Sequence, residues 1–242
     1  MLRCLVAIQV LLLLVTVPAA AGTIDDVDRL FGYGANHPNE RQALQLIEAA
    51  LKESPNDYQL LWRTARSLYY TADGLPTEKE RIKLYERAME IGERAVAQNP
   101  NGVEGHFWLA ASVGGFCREK GGISAFKQVK KVRTGMEMVL KLNDAFEEGA
   151  AYMALGEIDR QLPGLFGGNL KRSIATLEKG MQVAPTNPEI KYALAESYRE
   201  ANRKADARKQ IQELLELPLN SPRANEYKRA QENARKLLAK LK

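Results

Sequence analysis

The chain has 242 residues, of which 45% are apolar and 27% charged. That is long enough to bury a core, and the balance excludes wholesale disorder. Lysine and arginine number 35 against 30 acidic residues, a formal net charge of +5, but the two signs are interspersed, so no basic stripe points to nucleic acid.

The N-terminal segment differs from the rest. Arg3 precedes an apolar run of 13 residues, Leu5 to Val17, and small residues follow at Ala19 and Ala21. The run is shorter than the roughly 20 residues needed to span a bilayer as a helix. Its end suits signal peptidase. Residues 1–21 are therefore expected to be a cleaved secretory signal, with an uncleaved N-terminal anchor as the alternative. Residues 22–242 are expected to form one helical-repeat domain, periplasmic or secreted, with no stable membrane insertion. Gly22 stands where a bacterial lipoprotein would carry its cysteine. Cys117 is then the one mature cysteine, read as a small buried hydrophobe.

From there apolar and small residues recur at helical spacing. Ala43, Ile47 and Ala50 are followed by Pro55. Trp62, Ala65 and Tyr69 are answered by Ala88, Gly92, Ala95 and Pro100. Leu109, Ala110 and Val113 open a further unit. Tyr152, Leu155 and Gly156 open the next, which closes with Leu177, Gly180 and Pro185. Ile190, Leu194, Ala195 and Tyr198 pair with Ala207, Ile211, Leu214 and Leu215 ahead of Pro218. Small residues let neighbouring helices approach, large ones fill the space between pairs, and a proline ends each second helix. The expected fold is all-α: stacked helix-turn-helix (tetratricopeptide-like) pairs in a superhelix with long inter-helix insertions. The units fall at roughly 25–55, 58–100, 103–143, 146–185 and 188–218, and an amphipathic capping helix at 222–241. Pro55 and Pro100 lie 45 residues apart, against about 34 in a typical repeat. The extra residues are expected mainly between the helices of a pair.

Residues suited to chemistry are few. Of the two histidines, His37 falls in a turn and His106 in a first helix. No metal-binding spacing, hydrolase elbow or complete phosphate loop is present. No catalysis, metal or cofactor is expected. Two segments stand out. In Leu162–Asn169, Pro163, Gly164, Gly167 and Gly168 break the helix and leave Leu165 and Phe166 as an apolar tip. That tip either folds back on the repeat or closes a groove or meets a partner. The glycine-rich stretch Val113–Ile123 is expected to interrupt its repeat before a helix from Ser124 to Leu142 that carries Lys127, Lys130, Lys131 and Arg133. That basic face, like that of the C-terminal helix, suits solvent or an anionic surface.

Four motifs carry a resemblance: His106-Phe-Trp-Leu-Ala; Gly149-Ala-Ala-Tyr-Met-Ala-Leu-Gly156; Leu162-Pro-Gly-Leu-Phe-Gly-Gly-Asn169; and Ser173-Ile-Ala-Thr-Leu-Glu-Lys-Gly180. Together they resemble the T-component of tripartite ATP-independent periplasmic (TRAP) transporters. The resemblance implies a periplasmic helical protein that associates with a solute-binding protein and offers a pore or groove to a hydrophobic ligand. The described lipoprotein members are held by an acylated cysteine that this sequence lacks.

If the first helices line a concave wall, the repeat phase places Arg63, Ser67, Tyr70, Phe107, Ala111, Met153, Glu157, Arg160, Tyr192, Glu196 and Arg199 on it. Aromatics beside three arginines suit an extended peptide, or a ligand with an apolar body and a carboxylate. The sequence thus reads as an exported binding protein, an accessory component of a TRAP-type uptake system. The alternative is a cell-envelope interaction scaffold with no small-molecule ligand.

Overall fold

The computed structural model describes residues 19–31, 39–219 and 224–241, with the side chains of 19–21 and 123–125 excepted. The expected signal lies outside these residues apart from its last three, and so does the His37 turn. Eleven α-helices follow in order among the described residues: α1 (Ala19–Leu30), α2 (Glu40–Glu53), α3 (Tyr58–Asp73), α4 (Glu78–Gln98), α5 (Val103–Lys120), α6 (Gly122–Leu142), α7 (Ala150–Gln161), α8 (Leu170–Val183), α9 (Pro188–Glu200), α10 (Lys204–Leu215) and α11 (Ala224–Ala239). Each packs on the next in chain order, and α3 on α5, α7 on α9 and α9 on α11 also meet. The result is the all-α, tetratricopeptide-type superhelix.

Helix starts are set by local chemistry. The side chains of Asp57, Thr77 and Asn169 accept from the N–H of Leu60, Glu80 and Arg172, the N-terminal donors a helix leaves unpaired. Asn187 accepts from both Glu189 and Ile190, with Pro188 in the first turn.

The residues that stretch the repeat are taken up as extra helical turns. The helices α3 to α6 have 16, 21, 18 and 21 residues, whereas α7 to α10 have 12, 14, 13 and 12. The glycine-rich stretch 113–123, expected as an interruption, is helical as far as Lys120. Gly115 is a packing residue there: a Cβ at this position would lie 2.4 Å from the Tyr85 ring. The chain reverses at Gly121, whose φ of +58° suits glycine.

Two apolar cores run through the stack. One, from α1 to α7, includes Ile47, Leu60, Leu68, Trp108 and Val139. The other, from α8 to α11, includes Leu177, Ile190, Leu194, Ile211 and Leu237. Between them the chain makes an unusual bend. Glu147 (φ 47°, ψ 46°), Glu148 (φ 53°, ψ 43°) and Gly149 (φ 73°, ψ 22°) are left-handed in succession. For a non-glycine residue this costs roughly 1–2 kcal/mol. The Asn187 amide holds the bend by donating to the Glu148 carbonyl at 2.8 Å.

Candidate functional site

The first helices α3, α5, α7 and α9, with α11 and with Arg81 of α4, line a common groove of about 650 Å³. Its floor is aromatic and apolar. Tyr69 and Tyr70 come from α3, Phe107, Trp108 and Ala111 from α5, and Met153 from α7. The rings form a continuous edge-to-face and tilted set: Tyr69–Tyr70 at 5.3 Å, Tyr70–Trp108 at 5.5 Å, Phe107–Trp108 at 4.9 Å and Phe107–Phe146 at 5.2 Å between centroids. Such pairs are each worth about 0.5–1.5 kcal/mol beyond area burial.

The rim is charged, and its cations are matched. Arg118 meets Asp73 at 2.7 Å, Arg81 meets Glu119 at 2.7 Å, and Arg229 of α11 meets Glu189 at 3.0 Å. Glu147 and Glu226 also line it, so three arginines stand among five carboxylates. The groove is acidic in a chain that is basic as a whole. The Tyr85 hydroxyl donates to Asp73 at 2.5 Å and receives Arg118 at 2.8 Å. Burial, reinforced by the Asp73 charge, holds this phenol far above its ordinary range. A smaller recess adjoins through Glu147, lined by Asp28, Phe31, Trp62, Arg66, Glu104 and Phe146.

The sequence-derived residues divide. Tyr70, Phe107, Ala111 and Met153 line the groove. Arg63 does not. It grips the Asp28 carboxylate at 2.7 and 3.0 Å and lies 4.0 Å over Trp62. Ser67 is fully buried in the core. Arg160 sits in a cage of Glu157 (2.7 Å), Glu196 (3.1 Å) and Glu200 (2.7 Å). Arg199 also reaches Glu200, at 3.2 Å. Tyr192 is partly buried beside this cage, and burial with the nearby Glu196 pushes its phenol up to about 12. All three arginines expected to meet a carboxylate-bearing ligand thus already hold internal carboxylates.

The loop Pro163, Gly164, Leu165, Phe166, Gly167 and Gly168 lies outside the groove. Its tip is solvent-facing, with Leu165 90% exposed. Phe166 stacks on Phe126 of α6 at 4.6 Å and 23°. Beneath it the buried Asp159 carboxylate accepts from Arg133 at 2.6 Å and Arg172 at 2.5 Å, joining α6, α7 and α8. Burial alone would raise that carboxyl, but the two guanidiniums outweigh it and hold it below the usual carboxylate range.

Tyr69, Trp108, Asp73, Arg81, Arg118, Glu119, Glu189, Glu226 and Arg229 also line the groove, though the sequence did not place them there. The rings carry the same spacing signal as core residues. Arg229 and Glu189 are 40 residues apart and meet only because the superhelix turns. Among the other residues with reactive potential, His106 bonds through Nε2 to the Pro100 carbonyl at 2.8 Å. Burial pushes the Cys117 thiol up to about 11, which keeps it in the unreactive thiol form. No metal-holding cluster occurs among the described residues, and none of their helices is long and apolar enough to cross a membrane.

Comparison with known proteins gives two family matches. Residues 23–157, more than half of the chain, match the family described as regulator of microtubule dynamics protein 1-3, and residues 167–241 match a tetratricopeptide repeat family. No curated protein matches. Among solved structures, the thermophilic tetratricopeptide protein TTC0263 from Thermus thermophilus is 21% identical with a TM-score of 0.64, covering 88% of this chain and 98% of that one. A double mutant of MamA (RS-1 ArsTM) is 17% identical at a TM-score of 0.52, covering 88% and 96%. A further MamA crystal structure is 15% identical at 0.52, covering 81% and 92%. At these identities the structures share the fold. On the match that runs from α1 into α7, the chain belongs to the regulator of microtubule dynamics protein 1-3 family.

Proposed function

We propose that the protein is an interaction scaffold whose concave groove receives a segment of one partner protein. The observation that carries this reading is the groove itself: a floor of four packed aromatic rings inside a rim where carboxylates outnumber arginines. A segment with one or two apolar anchors flanked by lysine or arginine matches both features. A small carboxylate ligand matches neither, because the arginines near the wall already hold internal partners.

The finer placement rests on sequence. The 1–21 segment supports export, and with it a periplasmic or secreted location. The motifs around Leu162–Asn169 support an accessory role in a TRAP-type uptake system, with the solute-binding protein as partner. Family membership supports a second reading, in which the partner belongs to the microtubule system.

A photo-cross-linking residue at Ala111, in the groove, and another at Lys209, on the exposed face of α10, test this in the native cell. The expected result is one protein adduct at Ala111 that Phe107→Ala removes, and none at Lys209. The adduct's identity selects between the two partner classes. Equal labelling at both positions, or no adduct at Ala111, would overturn the proposal.

A further inference from the structure

We infer that the turn edge formed by the 162–169 loop and the start of α6 docks onto an anionic phospholipid surface. This inference is independent of the groove, since no residue of that edge lines it. Leu165 is 90% exposed, Phe166 53% and Phe126 38%, and the two phenylalanines stack. A slack loop could turn such side chains inward, but this one is tied at several points. Asn169 donates its N–H to the Asp159 carbonyl at 2.7 Å, Gly168 donates to Pro163 at 3.2 Å, and Arg172 donates to the Gly167 carbonyl at 2.7 Å. Gly167 takes a left-handed φ of +87° that a side chain would resist. A Cβ at Gly168 would lie 1.7 Å from the Leu162 carbonyl oxygen. The three apolar side chains therefore project as one fixed wedge.

Cations surround it. Lys127 follows Phe126, Lys130 lies about one helical turn further on, and Lys171 stands at the start of α8; all three are exposed. The ion pairs of this region are Lys131 with Glu93 and both Arg133 and Arg172 with Asp159; Lys127, Lys130 and Lys171 stand outside them. Leucine and phenylalanine seat at the boundary between headgroups and acyl chains, while lysines meet lipid phosphates. A protein partner suits the edge less well. The wedge is convex, and three side chains fall short of the roughly 1,000 Å² that a stable protein interface buries.

The test uses the full chain with Leu165→Cys carrying an environment-sensitive fluorophore, in a Cys4→Ser, Cys117→Ala background, so that the signal comes from the edge itself. Vesicles of phosphatidylcholine mixed equally with phosphatidylglycerol should shift the emission to the blue, and acyl-chain quenchers should reach the probe. Pure phosphatidylcholine should do neither. Lys127→Glu, Lys130→Glu and Lys171→Glu combined should weaken partitioning on the order of a hundredfold. In the unlabelled chain, Leu165→Ser with Phe166→Ser should reduce co-sedimentation with the anionic vesicles. No shift on anionic vesicles, an equal shift on neutral ones, or a shift produced only by an added protein partner would each overturn the inference.

Discussion

The stretch from α1 to α7 and the stretch from α8 to α11 solve the same packing problem in different ways. The first uses helices of up to 21 residues and packs Tyr69, Tyr85, Phe107 and Trp108 together. The second keeps helices of 12 to 16 residues and a mainly aliphatic core of leucine, isoleucine and alanine that also takes in Tyr198. Close-set aliphatic pairs need little length. The Tyr85 ring packs against Gly115, and the longer helices carry Asp73, Arg81, Arg118 and Glu119 near their ends to form a rim. Depth in the groove therefore comes from departure from the regular repeat, while the regular half supplies Glu189, Glu226 and Arg229 as its far edge.

Four substitutions probe this contrast. Trp108→Ala removes a side chain only 2% exposed and should cost about 3–5 kcal/mol. Hydrogen exchange should then rise across 23–157 while α8 to α11 stay protected. Equal loss in both halves would show one cooperative unit and end the comparison.

Asp159→Asn breaks the clip that joins α6, α7 and α8, leaves two arginines without their carboxylate, and should cost about 3 kcal/mol at neutral pH. Because the folded carboxyl lies below its ordinary 3.8, its contribution is present above that value and is lost as pH falls through the lower folded value. Denaturant melts of the two proteins should therefore converge under acid.

Glu40 behaves in the opposite sense. Burial raises its carboxyl from 4.5 to about 7, against the lowering influence of Arg66 and Ser67. Stability tied to its proton is full below pH 4.5 and is lost as pH rises through 7. Glu40→Gln should therefore stabilise the chain by about 2 kcal/mol at pH 8 and change little at pH 4. A gain that did not depend on pH would contradict the assignment. The smallest effect belongs to the junction. Glu148→Gly relieves one left-handed residue and should add about 0.5 kcal/mol, once the freedom glycine gains in the unfolded chain is subtracted. Thermal melts would register it as a small rise in Tm.

The stacked hairpins were legible in the sequence because small and large residues alternate at helical spacing from Ala43 to Leu215. Four groove residues followed from the same phase. The rest of the site was not legible, for three physical reasons. A ring that packs a core and a ring that floors a groove have the same spacing, so Tyr69 and Trp108 gave no separate signal. Gly114 and Gly115 read as a break, yet Gly115 is small to admit the Tyr85 ring. Arg63 and Arg160 read as free to take a ligand, but their partners come from Asp28 and Glu200, 35 and 40 residues away. Single-sequence reasoning has no access to such pairings.

The Asn187 side chain does two jobs at once: its oxygen receives the first N–H groups of α9, and its nitrogen grips the Glu148 carbonyl. Only an amide can do both. Exchange for Asp would keep the cap and repel the carbonyl, and exchange for Ser would keep the cap and fall short of it. One side chain thus ties the left-handed bend ahead of α7 to the first turn of α9, so the spacing of these two hairpins hangs on a single amide.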